Sequence, residues 1–293
     1  MDVYGIITEQ VTKELEKGVI PWRKPWGAAD QKPANAVTLR PYRGINPFLL
    51  AAQGFKSPYW LTYKQATALG GHVKRGEVST MIVFWKFETI EQEAEWLQEK
   101  RRVILRYYRV FNVEQCELPE KFLAKLPKPV ESTVQPIEAA DAIVAGYAKK
   151  PAIIDGASAA YYLPREDRVH VPAIAQFGKP EEYYSTLFHE LGHSTGHKDR
   201  LARKGVMDAI RFGSEDYSKE ELVAEMTAAF LCGEAGIAPR TIENSAAYIG
   251  SWLKALKNDR MMLVLAAAQA QKAADYILAR KPETATETEA LAA

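Results

Sequence analysis

Cysteine is nearly absent. The 293 residues include only Cys116 and Cys232. Two distant thiols support neither a disulfide framework nor a thiolate metal site, so both are expected as reduced core residues of a cytoplasmic protein. No apolar run approaches the roughly 20 residues that span a bilayer. The first residues, MDVYGIITEQVTKELEKG, mix acids with bases and lack the apolar core of a signal peptide. Net charge is also scarce, at +1, but that near-absence hides an asymmetry. Residues 1–86 hold 12 Lys+Arg against 6 Asp+Glu, residues 87–129 hold 8 of each, and residues 130–293 hold 18 against 23. A basic front and an acidic back imply two units with different partners, the front facing a polyanion.

With 47% hydrophobic and 26% charged residues, the chain reads as soluble, globular and α+β. Residues 3–17 carry Val3, Ile6, Ile7, Val11 and Leu15 on one helical stripe. Short helices are expected over 45–53 and 62–69, the second stopped by Gly70-Gly71. STMIVFWKF (79–87) and ILRYYRVFN (104–112) are β-branched and aromatic, hence strands. The charged excursion between them reads as a hairpin or a short helix. A proline-rich stretch near 119–136 marks a boundary. It gives a mixed α/β domain over 1–125, a linker over 126–138, a second domain over 139–282 and a disordered tail over 283–293. In the second domain, helices are expected over 139–149, 181–196, 219–235 with Ser218 as N-cap, 246–256 and 260–280. Short strands are expected over 152–154, 158–163 and 168–171.

The helix over 181–196 contains His189-Glu190-Leu191-Gly192-His193. Histidines four residues apart project from one helical face, and two neutral imidazoles there can hold one Zn²⁺. Glu190 is then placed as the general base for a water attacking a carbonyl. A catalytic zinc needs a third protein ligand and an open position. Glu221 and Glu225, in KEELVAEMTAAFL, share a helix face. One can bind metal while the other orients a ligand histidine. Glu221 is preferred as ligand and Glu225 as its support, with Glu220 read as a solvated carboxylate at the helix start. Asp199 is the rival, since Gly196 and Asp199 complete HExxHxxGxxD. His197 reads as structural, and His170 as packing on a strand beside the cleft. Mn²⁺ or Co²⁺ could replace Zn²⁺ in such a set.

The front interleaves bases with aromatics in PWRKPW, YRGIN, YWLTYKQ, KRGE and WK. Single-stranded nucleic acid is held this way, with cations on phosphates and rings stacking bases. The candidates are Arg23, Lys24, Tyr42, Arg43, Asn46, Trp60, Lys64, Lys74, Arg75 and Lys86.

Together these motifs resemble the ArdC antirestriction family, which is related to the N-terminal part of TraC-type plasmid primases. PWRKPW, RPYRGIN, SPYWLTYKQA, LGGHVKRGE, IVFWKF and YYRVFNVEQC resemble the family's N-terminal single-stranded-DNA-binding domain. TLFHELGHSTGHKDRL, YSKEELVAEMTAAFL and AAYIGSWLKAL resemble its zincin-like, gluzincin-type metallopeptidase domain. The resemblance implies a protein that binds single-stranded DNA, and double-stranded DNA as well. It implies protection of incoming conjugative or mobile-element DNA from host restriction. It also favours Glu221 as third ligand; the match itself does not say that proteolysis occurs, and a host protein is the expected substrate if it does. Two other readings compete: a DNA-binding module whose metal only staples the fold, and an accessory fragment associated with a primase. The chain lacks a nucleotidyl-transfer motif, which weighs against the second.

Overall fold

The computed structural model describes residues 2–23, 32–90, 100–127, 135–203, 206, 215–237 and 245–281. The chain divides into two compact units.

The smaller unit contains Pro33–Tyr42 and Gln53–Lys128. Strand β1 (Ala34–Asn35) runs parallel to β2 (Tyr59–Thr62), and β2 is antiparallel to β5 (Lys100–Asn112). The long pair β4 (Thr80–Ile90) and β5 runs in register from Thr80↔Val110 to Ile90↔Lys100. The order across this main sheet is therefore β1-β2-β5-β4. Its long pair comprises the two strands expected from the sequence, each extended toward the charged excursion. The excursion's residues 91–99 lie outside the described residues. Met81 to Phe84 are all buried, so both faces of β4 are covered there. A two-stranded ladder pairs β3 (His72–Val73) with β6 (Cys116–Glu117). Thr62 opens the helix Tyr63–Ala68 with a capping box to Gln65. That helix ends on Gly70 at φ 83°, a conformation glycine adopts without strain.

The larger unit contains Met1–Lys32, Arg43–Ala52 and Pro129–Lys281. The division in space therefore differs from the linear one at 125–138. The physical reason is the first helix, Val3–Glu16, which is capped by Asp2. Its stripe of Ile7, Val11 and Leu15 is buried. It packs against the helix Ser245–Asn258, and Thr8 Oγ1 donates to the Arg260 carbonyl at 2.8 Å. Trp22 meets Trp252 edge-on at 5.2 Å, and Phe48, on the short helix Asn46–Ala51, packs on Phe230.

In the small sheet of this unit, strand β7 (Ala152–Asp155) is parallel to β9 (Arg168–Val171), and β8 (Tyr161–Leu163) is antiparallel to β9. The order is β7-β9-β8. Two helices matter most. The motif helix spans Pro180–Ser194 and the carboxylate helix spans Glu215–Ala235. The carboxylate helix is buried on every side from Glu220 to Cys232, as expected of a helix at the centre of a unit. The motif helix, Met262–Ile277 and Pro136–Gly146 pack around it. Ser218 does not cap this helix. It lies inside the helix, with its hydroxyl 3.0 Å from that of Ser251. The tail over 283–293 and most of the linker (128–134) lie outside the described residues.

Candidate metal centre

The motif helix buries Tyr184, Leu187, Phe188 and Leu191. Each such side chain contributes about 1.5–3 kcal/mol by leaving water, which fixes the rotation of the helix. His189 and His193 then face the carboxylate helix. The approach is close because residue 192 is glycine. A Cβ there would sit 3.2 Å from Thr227 Cβ and 3.3 Å from Ala224 Cα.

The two Nε2 atoms lie 3.1 Å apart. Glu221 spans them, with Oε2 3.5 Å from His189 Nε2 and Oε1 3.5 Å from His193 Nε2. A tetrahedral metal with ligands at about 2.0–2.2 Å sets its donors roughly 3.3–3.6 Å apart. Two imidazoles and one carboxylate at these separations suit a borderline divalent ion. Among the described residues, His189, His193 and Glu221 form the one group whose ligand atoms converge in this way.

The outer nitrogens also face acids. His189 Nδ1 lies 3.6 Å from Glu225 Oε1, and His193 Nδ1 lies 3.3 Å from Glu220 Oε1. An Nδ1–H directed at a carboxylate leaves the Nε2 lone pair facing the metal position. Burial alone would lower both imidazole pKa values. For His189, Glu221 and Glu190 outweigh burial and the net shift is upward. For His193, Glu220, Glu221 and Glu190 outweigh it further and hold the value well above 6.5. Burial pushes the Glu221 carboxyl up, but the two histidines reverse this and leave it far below the usual carboxylate range. Glu190 is 7% exposed, and its charge is felt by both rings.

Glu220 is not a solvated carboxylate. It is 8% exposed, and its oxygens receive Arg203 Nη2 at 2.6 Å and Nε at 3.0 Å. Sequence reasoning missed both residues as a pair. Asp199 is placed elsewhere, with its side chain 72% exposed and 3.5 Å from His197 Nδ1. His170 stacks on Tyr161 at 4.8 Å in the small sheet.

The front candidates separate by exposure. Lys64, Lys74 and Arg75 are exposed, although Lys74 Nζ also donates to the Glu114 carbonyl. Tyr42 and Trp60 are each 2% exposed, so neither ring has a face on which a base could stack. Tyr42 reaches Phe84 and Trp60 reaches Phe55 instead. Asn46 is buried at a helix start, and Arg43 is ion-paired with Asp275. Lys24 and the side chains of Arg23 and Lys86 lie outside the described residues. Two rings absent from the expectation, Tyr63 at 60% and Tyr107 at 50%, are the exposed tyrosines of this unit. No helix among the described residues is long and apolar enough to cross a membrane.

Comparison with known proteins matches two successive stretches of the chain to two families. Residues 1–111 match the N-terminal domain of anti-restriction factor ArdC, and residues 138–269 match a zincin-like metallopeptidase family. Two Escherichia coli proteins described as DNA primase TraC are 39% and 36% identical over 93% and 94% of this chain. The chain spans only 27% and 20% of their lengths. An uncharacterized protein of Sinorhizobium fredii is 34% identical over 96% of this chain and 93% of its own. Crystal structures of the antirestriction ArdC protein from plasmid R388, metal-free and Mn(II)-bound, superpose with TM-scores of 0.74 and 0.76. They are 38% identical over 95% of this chain and 97% and 98% of theirs. Coverage of both sequences nearly end to end, at that identity and in that fold, places the chain in the ArdC antirestriction family.

Proposed function

We propose that this chain is an antirestriction protein of the cytoplasm. In this reading it binds single-stranded DNA, and double-stranded DNA as well, and shields incoming mobile-element DNA from host restriction. It carries a divalent-metal peptidase site directed at a host protein. The observation that carries the hydrolytic part is the triangle of His189, His193 and Glu221 with Glu190 buried beside it. The Mn(II)-bound relative supports a divalent metal, and two imidazoles with one carboxylate suit Zn²⁺, with Mn²⁺ or Co²⁺ as alternatives.

When bound, the metal supplies a Lewis acid for a carbonyl and lowers the pKa of a water. The chain does the rest. Glu221 and the two Nε2 atoms hold three positions. Glu225 keeps His189 oriented through Nδ1. The Glu190 carboxylate takes the proton of the attacking water and delivers it to the leaving amine. DNA binding is assigned to the exposed cations Lys64, Lys74 and Arg75, with Tyr63 and Tyr107 as the rings open to stacking.

The discriminating variant is Glu190→Gln, measured by metal affinity and by transfer efficiency of DNA into a restricting host. Metal affinity is expected to stay within a few-fold of the parent, and protection is expected to be lost. Full protection by the variant would refute proteolysis as the protective step. It would favour a DNA-binding module with a structural metal.

A further inference from the structure

After Ser194 the chain reverses and latches back on the end of the motif helix. Leu201 N donates to the Thr195 carbonyl at 2.9 Å, and Arg203 N donates to the Gly196 carbonyl at 3.0 Å. Glycine at 196 makes room for this return, since a Cβ there would fall 2.3 Å from Val206 Cγ2. The returning segment delivers an arginine. The Arg203 side chain is 8% exposed, and its guanidinium is bonded on every edge. Nε and Nη2 grip the two Glu220 oxygens side-on, Nη1 donates to Thr195 Oγ1 at 2.6 Å, and Nη2 donates to the Gly192 carbonyl at 2.9 Å. Gly192 and Thr195 flank His193 in the chain. Glu220 in turn lies 3.3 Å from His193 Nδ1. The interactions close a ring: motif helix to Arg203, Arg203 to Glu220, Glu220 to His193, and back to the motif helix.

We infer that Arg203, acting through Glu220, is a positioning residue for the metal ligand His193. The inference rests on the metal-site reading above. Its physical basis is charge as well as geometry. Glu190, Glu220, Glu221 and Glu225 are four acids, each under 9% exposed, gathered around two imidazoles. A bidentate guanidinium fixes a carboxylate in angle as well as distance. Held this way, Glu220 accepts from His193 Nδ1 and stays out of the metal position. Without Arg203 it becomes a buried carboxylate lacking its cation, which proteins tolerate poorly. It would then swing toward the metal and let His193 turn.

The test uses the full chain stripped of metal, titrated with Zn²⁺ and separately with Mn²⁺ by calorimetry. Unfolding temperature without metal and the Co²⁺ d–d spectrum are read in parallel. Removing such an outer partner of a metal ligand typically costs about 10–100-fold in affinity, and that loss is expected for Arg203→Met. The Co²⁺ bands should change with it. Arg203→Lys restores charge without the fork and should recover only part of the affinity. Arg203→Met combined with Glu220→Gln should be no weaker than Arg203→Met alone, because the pair acts as a unit. Parental Zn²⁺ and Mn²⁺ affinities and an unchanged Co²⁺ spectrum in Arg203→Met, with only a lowered unfolding temperature, would overturn the inference. If Arg203→Met fails to fold, Arg203→Lys carries the same comparison, and parental affinity and spectrum there would overturn it. His193→Ala separates the two readings. Parental metal affinity in that variant means the metal site itself is wrongly placed.

Discussion

Gly192 sets the distance between the two helices that build the metal centre, and replacing it by alanine has a calculable outcome. The added Cβ would lie 3.2 Å from Thr227 Cβ, 3.3 Å from Ala224 Cα and 3.4 Å from the Ala224 carbonyl oxygen. Ordinary contact between such atoms is about 3.5–4.0 Å, so the helices must separate by a few tenths of an ångström. Two of the three obstacles are backbone atoms of a helix buried all round, which cannot swing aside. Overpacking of this kind costs about 1–3 kcal/mol, and alanine returns about 1 kcal/mol of helix propensity. The net is a loss of about 0–2 kcal/mol. At roughly 2–4 °C per kcal/mol for a unit of 150–250 residues, the unfolding temperature should fall by no more than about 8 °C. The metal responds more sharply. Ligand distances matter at about ±0.2 Å, and Glu221 sits on the helix that moves away, so Mn²⁺ or Zn²⁺ affinity should drop at least tenfold. Gly250→Ala is the matched control. It lies exposed in the helix Ser245–Asn258 with nothing within 4 Å of the new Cβ. It should raise stability by about 0.5–1 kcal/mol and leave the metal untouched. Thermal melts with chelator and with excess metal, plus metal titrations, read both variants. If Gly192→Ala stabilises like Gly250→Ala and binds metal like the parent, the close-approach reasoning is wrong.

Glu221→Gln should abolish the metal-dependent rise in unfolding temperature. At metal 100-fold above Kd the parent gains about 2.7 kcal/mol, and a full gain in the variant would remove Glu221 from the ligand set. Removing charge at Lys74 and Arg75 together should weaken single-stranded DNA binding. It should also flatten log K against log salt by about 0.7 for each phosphate no longer neutralised, and an unchanged slope would place the DNA elsewhere. Asp167 gives a pH prediction. Burial raises its pKa, but hydrogen bonds from Arg200 and Tyr162 and the Arg200 charge outweigh this and hold it below 3.8. A depressed folded pKa contributes stability above the unfolded value and loses it as pH falls through the folded one. Asp167→Asn should therefore be less stable at neutral pH and show a shallower loss below about pH 4. Parallel acid melts of parent and variant would refute it.

The three residues that converge as candidate metal ligands are legible in the sequence because their geometry is local. His189 and His193 lie one helical turn apart, and the Glu221–Glu225 spacing announces a second carboxylate-bearing face. What lies outside reach is anything set by the returning chain. Glu220 reads as a solvated helix-start residue until Arg203, 17 residues upstream, folds onto it. Asp199 fits a ligand spacing on paper, but the reversal that begins at Gly196 carries it to the surface and brings Arg203 inward. The aromatic front misleads for a related reason. Composition marks a strand or a stacking surface equally well, and only the packing decides that Trp60 is core while Tyr63, next to the capping Thr62, is exposed.

The carboxylate helix gives the candidate site a charge that suits a dication. It contributes Glu220, Glu221 and Glu225, and the motif helix adds Glu190, against the Arg203 guanidinium among the described residues. Without metal, these acids favour the protonated imidazoles. Their pKa values are pulled upward although burial opposes it. A divalent ion held by His189, His193 and Glu221 would replace those protons and leave the Nδ1–H groups to the outer acids. The outer acids are therefore not interchangeable with the inner one. Glu221 faces both Nε2 atoms, whereas Glu225 and Glu220 each face one Nδ1. Exchanging the charge of Glu221 should empty the site, and exchanging that of Glu220 or Glu225 should only loosen it.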